Sequence, residues 1–176
     1  MDIEIAKRIY RAYLAIFDME LRDSLRREML TWAFVENPDH WPVIGVTGAA
    51  LERFAEHDFR CVSGMKVQRA HLADRKVWQS AMLAEKLNFD DWLTLYAQSD
   101  RTVLATSSEN MRGEDLKYVP IPAELGLFRS MGYKWRHTMA EREYLRDLHV
   151  KLDPSGRIHR GDPESGQVMR QISQSG

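Results

Sequence analysis

The first 35 residues place apolar side chains at helical spacing. Successive members are mostly three or four positions apart, first as Ile3, Ala6, Ile9, Tyr10, Tyr13, Ile16 and Phe17, and then as Leu21, Leu25, Met29, Trp32 and Ala33. Asp2 is a favourable N-cap, and Asn37-Pro38 ends the pattern because proline disfavours a helical residue before it. The pattern predicts one long helix, or two helices meeting near Asp18, with the Trp and Met side chains in a core.

The pattern changes in the middle of the chain, where the residues favour short strands. Residues 40–45 predict a loop, and Thr47 is placed to cap a short helix. Residues 59–62 and 66–70 then flank a Ser-Gly dipeptide, which predicts two short strands joined by a tight turn.

Capping residues and prolines mark the elements that follow. The predicted elements are a helix capped by Asp74, a helix capped by Asp90, a strand at 101–106, a short helix capped by Ser107 or Ser108, an extended segment at 118–122 and a helix opened by a capping box from Thr138 to Glu141. Strands are thus few and short, and helices predominate.

These elements predict an α+β protein that is mostly helical, with a small strand-and-helix core flanked by helices. We expect one domain over residues 1–150, made of a helical N-terminal part (1–58), the core (59–115) and an extended segment with a C-terminal helix (116–150). Gly, Ser, Pro and charged residues dominate from residue 151 onward, so we expect a flexible tail at 151–176.

Composition excludes several classes of protein. Of the 176 residues, 44% are apolar, which is enough for a core. The single cysteine, Cys61, excludes an internal disulfide and a zinc site built on paired cysteines. The chain has no run of about 18 apolar residues, so we expect no membrane-spanning segment. Its N-terminus has early acids and no basic region, so we expect no secretory signal and a reducing, cytoplasmic setting.

Charge is distributed unevenly along the chain, although the net charge is only −1. Residues 1–58 carry 7 basic and 11 acidic side chains, whereas residues 59–112 carry 8 and 6. A nucleic-acid contact would therefore have to be a local patch in the middle of the chain. Arg22, Arg26 and Arg27 alternate with acidic residues, which indicates a solvated, internally paired helix face.

Four short motifs in the middle of the chain contain the residues that are candidates for catalysis. They are Cys61-Val-Ser-Gly64, Ala70-His71-Leu72, Asp100-Arg-Thr-Val-Leu104 and Ser108-Glu109-Asn110. This order resembles the ββα-metal core of the HNH endonucleases, over roughly residues 59–112. Some HNH subfamilies open with a Cys-x-x-Gly turn and continue with an Ala-His-Leu step like this one. Small nucleases of this kind often belong to phages, mobile elements or restriction systems.

The resemblance implies a role for each matching residue. His71 holds the place of the general base that activates water against a DNA phosphodiester, a task that suits an imidazole near neutral pH. Asp100 stands nearest to the family's middle Asn, which orients the active-site loop. Asn110, together with Glu109 and His71, would bind one divalent metal, Mg²⁺ or Mn²⁺ in the first place and Ni²⁺ or Zn²⁺ as alternatives. Ala70 stands where many family members have a second ligand.

DNA is the expected partner, contacted mainly through its phosphates. The candidate contacts are the basic residues around these motifs and in a later basic-aromatic cluster, namely Arg69, Arg75, Lys76, Arg101, Arg112, Lys134 and Arg136. His137, in the same cluster, is a candidate for an additional metal ligand.

Two other interpretations use the same residues differently. In one, the chain is a non-catalytic helical interaction or regulatory protein that dimerises or holds a partner through its N-terminal helices. His71 is then a core residue, Asn110 a helix-start residue, Asp100 a strand cap and Cys61 a small buried apolar side chain. In the other, the chain binds nucleic acid on a nuclease-like core without cleaving it. The nuclease hypothesis requires His71 and Asn110 to meet in a solvent-open basic cleft.

Overall fold

A computed structural model of the protein describes residues 1–111, 115–128 and 138–152. Within these residues the fold is α+β and mostly helical, as predicted. The elements, in chain order, are α1 (Ile3–Phe17), α2 (Asp23–Val35), β1 (Val43–Thr47), α3 (Gly48–Ala55), β2 (Val67–His71), α4 (Arg75–Ala84), α5 (Phe89–Ser99), β3 (Thr102–Thr106), α6 (Ser107–Met111), β4 (Tyr118–Pro120), a 3-10 turn (Ala123–Leu125) and α7 (Met139–Lys151).

The four strands form one sheet in the order β2-β3-β1-β4. Strands β1 and β3 are parallel, and each has an antiparallel neighbour at the sheet edge, β4 beside β1 and β2 beside β3. The predicted hairpin is wrong, because residues 59–62 form no strand and β2 pairs with the distant β3 instead. The predicted loop at 40–45 is also partly wrong, because β1 begins at Val43 and gives the N-terminal part of the chain a central strand.

Helices α1, α2, α4 and α5 pack together around one of the hydrophobic cores. The chain breaks between α1 and α2, as the alternative of two helices meeting near Asp18 predicted. The predicted face of α1 is buried there, with Ala6, Ile9 and Tyr13 at most 1% exposed. The Tyr13 hydroxyl also donates to the carbonyl of Met82, which ties α1 to α4. The apolar face of α1 is therefore covered by the chain's own helices.

The predicted core face of α2 is rotated relative to the observed one. Leu30 and Phe34 are the buried residues of α2, whereas the Trp32 side chain is 60% exposed. The buried residues of α2 and the residues of the predicted face both lie at helical spacing, so periodicity alone did not distinguish the two faces of the helix. As predicted, Arg26 pairs with the acidic residue Asp23, but the Arg26 side chain is largely covered and also donates to the carbonyl of Phe17.

A second core lies between the sheet and helices α3 and α7. Val46 and Leu104 of the parallel strands meet Phe54 of α3 and Leu145 of α7 there, all fully buried. The predicted capping box of α7 is present in both directions between Thr138 and Glu141.

Local capping explains where the two helices between β2 and β3 begin. Asp74 caps α4 by accepting the backbone N–H of Lys76, as predicted. The cap of α5 is Asn88, two residues before the predicted Asp90. None of the helices in the described ranges is both long enough and apolar enough to cross a membrane. Of the predicted tail, only residues 151 and 152 fall within the described part.

Candidate active-site cleft

An antiparallel strand pair followed by a short helix forms the frame of the candidate site. His71 is the last residue of β2, paired with Thr102 at the start of β3, and α6 follows β3 directly. The sequence between His71 and β3 is occupied by α4 and α5, so the pair is formed by strands distant in the chain. Fully buried Ala70 lies against Val103 on the strand face opposite His71.

His71 and Asn110 line the same open cleft, which has a volume of about 890 Å³. The first turn of α4 forms one part of its wall with Asp74, Arg75 and Lys76. The segment after α6 contributes Asp115, Leu116 and Tyr118 to the wall. The structure thus places on one cleft the two residues that the nuclease hypothesis requires. The charged lining of this cleft is mixed rather than basic, because Asp74, Glu109 and Asp115 stand beside Arg75 and Lys76.

The His71 ring is half-buried, with its edge on the indole of Trp41 at 5.3 Å between ring centres. Its Nε2 atom is enclosed and has no hydrogen-bond partner within the described residues. Burial lowers the pKa of His71 to about 4, and the charges of Arg75 and Arg69 act in the same direction. The imidazole is therefore neutral at pH 7 and carries an unshared electron pair on one nitrogen.

Trp41 is the centre of the charged cluster behind His71. The guanidinium carbons of Arg69 and Arg75 lie 5.3 and 5.5 Å from its ring centre, within the range of cation–π attraction. The ring of His40 also contacts it, at 4.8 Å between centres. Sequence analysis missed both Trp41 and His40 because it placed them in a loop. The signal available was an aromatic residue next to a histidine, immediately before an apolar run.

Asp100 is almost fully buried, at 2% exposure, and does not line the cleft. Its Oδ2 accepts the backbone N–H of Trp41 at 2.9 Å. Burial raises the pKa of Asp100 to about 6, against the opposing effect of that hydrogen bond. The residue contacts the Trp41 loop and lines a smaller hollow of about 380 Å³ with Tyr96 and Asn37. Asp100 is thus linked to the surroundings of His71 through the Trp41 loop and through the charges of Arg69 and Arg75.

Glu109 is held by the ends of two strands. Its Oε2 accepts hydrogen bonds from the Thr47 hydroxyl at 2.9 Å and from both the backbone N–H and the hydroxyl of Thr106 at 2.8 Å. These contacts join the carboxyl ends of the parallel strands β1 and β3 to α6. Glu109 also lines the cleft, so its carboxylate has a structural role at the place predicted for a metal ligand.

The remaining predicted DNA contacts are dispersed. Arg101 is exposed and its Nε donates to the carbonyl of Ala97, on the last turn of α5. Arg112, Lys134 and Arg136, together with His137, lie outside the described residues. Cys61 was expected to be buried, but its side chain is exposed.

The described lining of the cleft contains few side chains that could bind a metal ion. In the described residues, no group of three His, Cys, Asp or Glu side chains is close enough to bind an ion by itself. The cleft does present the amide of Asn110, the carboxylate of Asp115 and the imidazole of His71. Amide and carboxylate oxygens suit Mg²⁺ or Mn²⁺, whereas an imidazole ligand suits Ni²⁺ or Zn²⁺, so these donors by themselves do not select one ion.

Comparison with known proteins gives no family or function for this chain. The chain matches no protein-family model, no curated protein and no solved structure.

Proposed function

We propose that the protein is a metal-dependent DNA endonuclease of HNH type that hydrolyses phosphodiester bonds with His71 as its general base. The observation that carries this proposal is the shared cleft, which His71 and Asn110 line together with Arg75 and Lys76. A neutral imidazole, a metal-compatible amide and two phosphate-binding cations on one open surface are the parts that phosphodiester hydrolysis needs.

His71 supplies the base through one ring nitrogen. Because Nε2 is enclosed, Nδ1 is the nitrogen that takes a proton from a water molecule in the cleft. The oxygen of that water attacks phosphorus, the bond from phosphorus to the leaving oxygen breaks, and the leaving oxygen takes up a proton from solvent. The contact with Trp41 fixes the imidazole plane during the transfer.

The charges of the cleft help to place the substrate. Arg75 and Lys76 contact the phosphate oxygens, and the anion between them and His71 raises the proton affinity of the imidazole. Asn110 and Asp115 would hold the divalent cation, with His71 beside it and Glu109 fixing the helix that carries Asn110. The cation supplies neutralisation of the phosphate charge when bound.

Cleavage of supercoiled plasmid with Mg²⁺, Mn²⁺ or Ni²⁺ tests the proposal. The wild-type protein is expected to nick the plasmid, and His71→Ala and Asn110→Ala are expected to lose the activity. His57→Ala is the matched control, because His57 is exposed and outside the cleft. Absence of cleavage with every metal, or equal cleavage by wild type and His71→Ala, would refute the catalytic role of His71.

A second candidate function is nucleic-acid binding without cleavage. It is favoured by the low pKa of His71, about 4, which makes the imidazole a weak base. It is also favoured by Ala70, which leaves β2 without a ligand beside His71. Plasmid binding that depends on Arg75 and Lys76, without cleavage under any metal, would support it over the nuclease.

A further inference from the structure

A second hollow on the surface shares two of its lining residues with the cleft at His71. This hollow has a volume of about 390 Å³ and shares Arg75 and Lys76 with the cleft. Its far wall is α2, which contributes Arg27, Thr31 and Trp32. Arg75 and Lys76 therefore stand between the cleft at His71 and the residues of α2.

The second hollow has a fixed floor. The side-chain amide of Gln79 on α4 donates to the Thr31 hydroxyl at 3.0 Å, and Arg27 donates to the hydroxyl of Ser80 at 3.3 Å. These two bonds join α2 to α4, so the side chains above the floor keep their spacing. Binding groups on a pre-formed surface lose less conformational freedom when a ligand arrives.

Trp32 differs from the other tryptophans of the described residues. Trp41, Trp78 and Trp92 are at most 7% exposed, whereas Trp32 is 60% exposed. It stands beside three cations, Arg27, Arg75 and Lys76, and one acid, Glu28. An exposed indole next to several cations is the arrangement with which proteins hold unpaired bases and their phosphates.

We propose that the α2–α4 hollow binds a single-stranded stretch of DNA, in which a base stacks on Trp32 while Arg27, Arg75 and Lys76 contact the flanking phosphates. The proposal rests on the proposed function for the position of the scissile phosphate at His71. Stacking on Trp32 requires a base with a free face, so the site selects unpaired strands over blunt duplex.

Fluorescence anisotropy of labelled oligonucleotides without added metal tests the proposal. The probes are a single strand of about 12 nucleotides, within the site sizes of single-strand grooves, and its blunt duplex. We expect Trp32→Ala to weaken single-strand binding about 5- to 150-fold and Trp32→Phe to restore most of it, because stacking on an aromatic residue is worth that range. Val77→Ala is the matched control, since Val77 is 66% exposed on α4 and lines neither hollow.

The same variants separate failure of this inference from failure of the nuclease assignment. Equal single-strand binding by Trp32→Ala and wild type, or equal binding of both probes by wild type, would overturn the inference even if plasmid cleavage is present. Trp32-dependent binding without plasmid cleavage would support the strand site and count against the nuclease.

Discussion

The backbone N–H of Trp41 donates a 2.9 Å hydrogen bond to the buried carboxylate of Asp100, and this bond joins the loop before β1 to the residue before β3. The indole of the same Trp41 lies against the His71 ring. Asp100 is thus a positioning residue for the Trp41 loop, and its charge also acts on Arg69 and Arg75 beside His71.

Replacement of Asp100 tests this contact. At about pH 5 the Asp100 carboxyl is mostly protonated, so a substitution there does not remove a buried charge. The change in the free energy of unfolding then reports the loss of the hydrogen-bond acceptor. We expect Asp100→Ala to lower the free energy of unfolding by about 1–3 kcal/mol, because the Trp41 N–H loses its partner. Asp100→Asn keeps an acceptor oxygen and is expected to lose less than about 1 kcal/mol. Urea denaturation provides the measurement, and equal losses in both variants would count against the role of this bond.

The pKa values of His71 and Asp100 predict opposite effects of pH on stability. Asp100 has its pKa raised from 3.8 to about 6, so the folded state binds more protons than the unfolded state between these values. The contribution of Asp100 to the free energy of unfolding is therefore lost as pH rises from about 4 to 6. His71 has its pKa lowered from 6.5 to about 4, so the unfolded state holds the extra proton and stability increases over nearly the same interval.

Each contribution is at most about 3 kcal/mol, and the two largely offset each other in the wild type. Asp100→Asn is therefore expected to become more stable from pH 4 to 6.5, relative to wild type, and His71→Gln less stable. Urea titrations across this interval measure both. Parallel pH curves for the two variants would show that neither group is perturbed as described.

The pH dependence of cleavage reports the state of His71 directly. Because a general base must be unprotonated and the pKa of His71 is about 4, kcat/KM is expected to keep its value as pH falls through 6.5 and to decline only near pH 4 to 5. Initial rates on a short labelled substrate give this profile. An acid limb near 6.5, the ordinary value for histidine, would contradict the burial of the imidazole.

Substitution of Glu109 separates its structural role from a metal-binding role. We expect Glu109→Ala to lower the free energy of unfolding by about 2 kcal/mol or more in the presence of EDTA, because Thr47 and Thr106 lose the oxygen to which they donate. Glu56→Ala is the control, since Glu56 makes an exposed ion pair with Arg53, for which a loss under about 1 kcal/mol is expected. If Glu109→Ala is as stable as the wild type in EDTA, the structural role is refuted and metal binding remains as the role of Glu109.

Local elements of this protein followed from its sequence because their determinants lie within a few residues. The caps Asp2, Thr47, Asp74 and Thr138 each satisfy backbone N–H groups of the first turn that follows, so the starts of α1, α3, α4 and α7 were predicted correctly. The strand at 102–106 was also predicted, from its β-branched residues. The motif order placed His71 and Asn110 in one candidate site, and both line one cleft.

Only the tertiary structure decided which strands pair and which side chains meet. Residues 59–62 have strand-like composition, but β2 finds a better partner in β3, because that pairing buries Ala70 against Val103. Periodicity likewise could not tell Trp32 from Leu30, since both lie at helical spacing and only packing against α1 and α4 selects the buried face. Trp41 touches His71 across 30 positions of sequence, a contact that no local pattern encodes. Composition and spacing thus set the elements and the candidate residues, whereas burial and long-range pairing set the cleft and the protonation of the groups within it.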